Sequence, residues 1–167
     1  MRPYFVCASR SIPENRLRMK KNSEHDARSG NDPREALLHL PLDGLLPVNQ
    51  TLVLNLPMRT AILLVSSAEG EAQVLSQQRF TPNGMRVLVP LLQAYPQHCP
   101  YEALIASLYS FTLPEARQQL RDSWEIAMRP VRRAISGLMA GLRALGLHVR
   151  SLRGAGYLLE SLSRPRI

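Results

Sequence analysis

Residues 129–160 read RPVRRAISGLMAGLRALGLHVRSLRGAGYLLE, and two periodicities meet inside this stretch. Val131, Ile135, Leu138, Leu142 and Leu145 recur at spacings of four, three, four and three, which puts them on one stripe of a helix of about four turns starting at Pro130. Gly146 follows as the helix stop. Leu147 to Leu152 then reads as a strand, Arg153-Gly154-Ala155-Gly156 as a turn, and Tyr157 to Glu160 as a returning strand. Two strands of this length predict a ribbon rather than a core of their own.

The remaining faces carry the chemistry. Away from the apolar stripe lie Arg129, Arg132, Arg133, Ser136, Ala140 and Arg143, where small and cationic side chains leave room for a groove to approach. Taken alone, such a face is equally that of an ordinary amphipathic surface helix. The hairpin decides, because Arg150 and Arg153 flank its tip beside Gly154 and Tyr157, so two phosphate-reaching elements follow one another. Arg132, Arg133 and Ser136 stand where side chains reach base edges, whereas Arg150 and Arg153 stand where they grip backbone.

Working back from this stretch, Thr112-Leu113-Pro114-Glu115 combines a capping box with a first-turn proline and predicts an additional helix reaching Trp124, interrupted at Pro130. Pro100 precedes a helix with Leu104, Ile105 and Leu108 on its apolar face. Thr81-Pro82 opens an earlier one carrying Met85, Leu88, Val89, Leu92 and Tyr95 until Pro96. Leu88, Leu92, Leu104 and Leu108 are the expected partners of the stripe. Before Phe80 the period is two: Thr51 to Leu56, Thr60 to Ser66 and, after Glu69-Gly70, Ala72 to Leu75 predict three short antiparallel strands. Asp32-Pro33 predicts a short helix carrying Ala36, Leu37, Leu38 and Leu40. Residues 1–32 have no apolar period and predict a tail.

The expected architecture is therefore α+β: a small N-terminal antiparallel β-sheet, three main helices plus an extra one, and a C-terminal β-hairpin. Its parts are a tail (1–32), a short helix and linker (33–50) and one domain (51–162), divided into strands (51–75), a helical core (81–146) and a hairpin (147–160).

Charge agrees with the placement. The net charge is +8, and from Arg117 onward lie ten of the twenty-one lysines and arginines but only three of the thirteen acidic residues. A local basic surplus suits an anionic partner, with nucleic acid first. No apolar run has membrane length and the N-terminus has no signal-peptide core, so the expectation is a cytoplasmic protein without a membrane partner. Cys7 and Cys99 stand far apart, outside any metal-binding spacing, and read as unpaired thiols. His25, His39, His98 and His148 fall in unrelated contexts, and no nucleophile elbow, zinc-protease motif or P-loop is present, so neither a catalytic site nor a cofactor is expected.

The passage from Leu75 to Pro82, the Ile135-Ser136-Gly137-Leu138 core followed by Leu142, and Val149 to Tyr157 resemble the winged helix-turn-helix effector domain of the OmpR/PhoB type found in bacterial response regulators. The resemblance spans residues 51–160 and is most specific over the hairpin, which it makes the wing. It implies a sequence-specific, double-stranded-DNA-binding transcription regulator, with residues 130–145 as recognition helix. RNA polymerase and a second copy of the chain are the further partners it allows. The family's basic residues after the Ile-Ser-x-Leu core are replaced here by Met139, Ala140 and Gly141, and the segment from Ser110 to Arg129 is longer than usual. Only about 50 residues precede the strands, too few for a phosphoacceptor receiver domain. Two alternatives stay open: a winged-helix module that binds polymerase or another regulator without DNA, and a plasmid-type replication initiator.

Overall fold

The computed structural model describes residues 37–40 and 42–162. The expected N-terminal tail and positions 33–36 lie outside them. The described chain is α+β, with four helices and two antiparallel sheets.

The first sheet has the order β1-β2-β3-β4, formed by Leu37–His39, Gln50–Asn55, Thr60–Ser66 and Ala72–Arg79. Leu37–His39 corrects the helix expected there. Leu38 pairs opposite Leu54, and Leu38 and Leu40 lean on the core while Leu37 and His39 face out. That is a period of two, which four residues with three leucines cannot distinguish from a helical turn. In β2 and β3, Leu52 and Leu54 face Leu63 and Ala61 across the ladder, and all four enter the core. The register slips by one at Leu75, so β4 continues to Arg79, four residues beyond the expected end.

Helix α1 (Pro82–Ala94) starts as expected, the Thr81 hydroxyl accepting from the Gly84 amide at 3.0 Å. Pro90 lies inside α1 and withholds the donor that the Arg86 carbonyl would otherwise receive. Ser107 of α2 (Tyr101–Tyr109) fills the vacancy, its hydroxyl donating to that carbonyl at 2.6 Å, while the Arg86 guanidinium donates to the Leu108 carbonyl at 3.0 Å. The two helices are thus joined by polar bonds beside the contact of Leu88, Leu92, Leu104 and Leu108.

The extra helix is α3 (Leu113–Asp122), whose capping box is complete: Glu115 accepts from the amide and hydroxyl of Thr112, which accepts the Glu115 amide in return. It stops at Ser123, whose backbone leaves the helical region. Helix α4 then runs 21 residues, Trp124–Ala144, straight through Pro130. This corrects the boundary expected at that proline. Pro130 withholds a donor only from the carbonyl of Ile126, a residue that is 71% exposed, so the break falls on the outer side of the helix. Val131, Ile135, Leu138, Leu142 and Leu145 are all buried, in one cluster with Leu88, Leu92, Leu104 and Leu108.

Strands β6 (Leu147–Leu152) and β7 (Gly156–Ser161) form the expected hairpin, but it is not a bare ribbon. A two-residue strand, β5 (Cys99–Pro100), pairs with β7 to give the order β5-β7-β6, and Leu147, Val149 and Leu159 reach into the core. Alternating burial along β6 makes one face of the hairpin a lid on α4.

Candidate nucleic-acid interface

The burial of one α4 stripe dictates what the opposite arc can hold. Arg129, Arg132, Arg133, Ser136, Ala140 and Arg143 are all exposed. Ser136, Gly137 and Ala140 make the middle of the arc low, and guanidiniums stand at both ends of it. Met139 and Gly141, where the resemblance would place charge, are absorbed by packing: Met139 leans on the core, and a Cβ at Gly141 would lie 2.6 Å from Cε1 of Phe80.

The arginines differ in what holds them. Arg132 donates from Nη1 and Nη2 to Oε2 and Oε1 of Glu125, at 2.8 and 3.3 Å. That pairing holds the Glu125 carboxyl below the usual glutamate range, with Arg129 adding a weaker pull. Arg133, Arg143 and Arg153 make no hydrogen bond or ion pair among the described residues. Arg129 and Arg133 line a shallow cleft together with Thr81, Pro82 and Asn83 at the start of α1. Two cations in its lining make the local potential of the cleft positive.

The hairpin meets α4 at an aromatic cluster. Tyr101 packs edge-on against Trp124, at a ring separation of 4.8 Å, and against Tyr157 at 5.8 Å, and its hydroxyl donates to the Leu152 carbonyl at 3.0 Å. Tyr157 is half-buried there; burial pushes its phenol up, the neighbouring Tyr101 adds to this, and Arg132 opposes it. Tyr157 pairs opposite Ser151, one position from the turn, so this cluster lies near the tip end of the hairpin. Arg153 and Gly154 are exposed at the tip.

No known family, curated protein or solved structure matches this chain. The site therefore has to be judged on its own geometry.

Of the ten residues singled out from sequence, six lie on the exposed face of α4 and Arg153 and Gly154 lie at the exposed hairpin turn, while Tyr101 links the start of α4 to Tyr157 on the returning strand. Two expectations change. Arg150 does not stand at the tip: it pairs opposite Leu158 within the ladder, and its Nε donates to Glu160 of the neighbouring strand at 2.7 Å, so its charge is engaged across the ladder. Tyr157 supports the junction with Tyr101 instead of lying open. Sequence reasoning missed Glu125, Tyr101 and Trp124. Glu125 and Arg132 are seven residues apart, hence two turns apart on one face, a relation invisible while the helix was expected to begin at Pro130.

Among the described residues, no group of His, Cys, Asp and Glu could hold a metal ion, and no helix is long and apolar enough to cross a membrane. Cys99 is free and buried; burial, helped by Glu102, pushes its thiol up to about 12.

Proposed function

We propose that this chain is a sequence-specific DNA-binding transcription regulator of winged helix-turn-helix architecture, with α4 as recognition helix and β6–β7 as wing. One observation carries the reading. The outward arc of α4 bears Arg133 and Arg143, which have no competing partner among the described residues, with low side chains between them; the hairpin turn bears Arg153, likewise without a partner among those residues, and Tyr101 packs on both Trp124 of α4 and Tyr157 of the hairpin. The succession of strands, threonine-capped helix, basic helix and hairpin, which the OmpR/PhoB resemblance implies, supports the same assignment. Salt-dependent binding to random and selected duplexes tests it. The observed affinity should fall steeply with salt, about one counterion for each phosphate neutralised. Binding that is absent at low salt would reject it.

A second reading is favoured by a different surface. Tyr109 and Phe111 stack at 5.4 Å, and with Leu113 they stay exposed at the α2–α3 junction. An exposed aromatic pair on the longer-than-usual segment suits contact with RNA polymerase or another regulator. Such contact is compatible with DNA binding, and replaces it if the duplex test fails.

A further inference from the structure

We propose that Glu125 is a positioning residue for base recognition: it holds Arg132 so that the free edge of the guanidinium is presented as a ready-made fork to a guanine. The inference rests on the DNA-binding reading and goes beyond it by naming the base read and the residue that fixes the choice.

The chemistry is in the count of donors. A guanidinium has five N–H groups. Arg132 uses one on each terminal nitrogen for the two oxygens of Glu125, leaving Nε–H and one hydrogen on each terminal nitrogen. The edge formed by Nε–H and its neighbouring terminal N–H matches the O6 and N7 acceptors of guanine in the major groove. Adenine, with an amino group in place of O6, cannot accept both. Ordering a long side chain costs binding free energy, and a side chain already held in place has less to lose. Arg132 is the one arginine of α4 with a two-point hold among the described residues.

The alternative is that Glu125 merely carries charge. Its side chain is 72% exposed on the same helix as the candidate contact residues, where a carboxylate repels phosphate and lowers affinity for every duplex alike. A residue that only repels would not need to meet the guanidinium with both oxygens.

The test begins with the full chain selecting duplexes from a random pool. Affinities are then measured for the selected site and for copies with single guanines changed, using wild type, Glu125→Gln, Glu125→Asp, Arg132→Ala and the Glu125→Gln/Arg132→Ala double variant. Both positions are exposed, and thermal melts verify that each variant is folded. Glu125→Gln should bind mismatched duplexes more tightly, having lost a negative charge, yet discriminate about tenfold less at one guanine position. Arg132→Ala should lose the same discrimination, with nothing further lost in the double variant. Glu125→Asp keeps the charge but shortens the arm, and should lose discrimination without the general gain. Preferences at other positions should persist. Uniformly tighter binding by Glu125→Gln with every preference intact would overturn the inference, as would wild-type binding that selects no sequence, although DNA binding itself would then stand. Wild type that retains no duplex at all would reject the DNA-binding reading, and this inference with it.

Discussion

Gly141 lies against the ring of Phe80 so closely that a Cβ there would come within 2.6 Å of Cε1 and 3.0 Å of Cζ. Phe80 directly follows the last strand of the first sheet and Gly141 sits in the last turn of α4, so this contact sets how near the helix lies to the sheet. Gly141→Ala should cost about 1–3 kcal/mol, as overpacking does, and Phe80→Leu should relieve part of that cost. Urea denaturation of the two single variants and the double variant measures the coupling; strictly additive losses would contradict the contact.

Leu138 is fully buried in the middle of α4, whereas Ser136, two residues before it, is exposed. Leu138→Ala should lower the unfolding free energy by about 2–5 kcal/mol. Ser136→Ala should change it by less than about 0.5 kcal/mol. A reversed order in equilibrium unfolding would mean that α4 is rotated about its axis.

The helix arginines and Arg153 should fail differently on DNA. Arg153→Ala is expected to weaken all duplexes alike and to lower the salt slope by about one, because its side chain is placed at the hairpin turn to meet a phosphate, whereas Arg133→Ala should weaken the selected site more than random DNA. Arg132→Ala should likewise act mainly on the selected site. Titrations at several salt concentrations separate the two patterns.

Glu115 closes the capping box of α3, and its hydrogen bonds from the backbone and then the hydroxyl of Thr112 hold its carboxyl below the ordinary value. A folded-state value below the unfolded one gives stability that is present above the unfolded value, about 4.3, and lost as pH falls through the folded one. Glu115→Gln should therefore melt slightly earlier than wild type near neutral pH, and the two curves should converge as pH falls below the folded-state value. Parallel curves at all pH values would show that the carboxylate charge contributes nothing to the cap.

Cys99 should resist alkylation in the folded protein, since the thiolate is the reactive form and burial suppresses it. In a Cys7→Ser background, the reaction rate should rise with urea in step with unfolding. Fast modification of the native protein would contradict the placement of β5.

How much of this could be read from the residues depended on the length of each signal. The stripe from Val131 to Leu145 repeats five times, so its buried face was legible, and with it the exposed arginines opposite. The caps at Thr81 and Thr112 were legible because each rests on one side chain at a fixed offset. Leu37–His39 was not, since its three residues satisfy a strand and a helical turn alike. The start of α4 was misplaced because a proline usually ends a helix, and here the donor it withholds is lost opposite Ile126, a residue on the exposed side. Partners at long sequence separation, such as Cys99 for Tyr157 and Ser107 for the carbonyl of Arg86, leave no local pattern at all.

The two residues of β5 reach β7 over Gly156, where any side chain would collide with the carbonyl of Cys99. That pairing joins parts of the chain separated by the whole of α2, α3 and α4, so it closes one of the longest loops in the domain. Contacts of such separation tend to form late, after local helices and hairpins have reduced the chain's freedom. Substitutions at Gly156 are therefore expected to hasten unfolding far more than they slow folding. The strap between Cys99 and Tyr157 then acts as a latch: it adds little to the search for the fold and much to the lifetime of the fold once found.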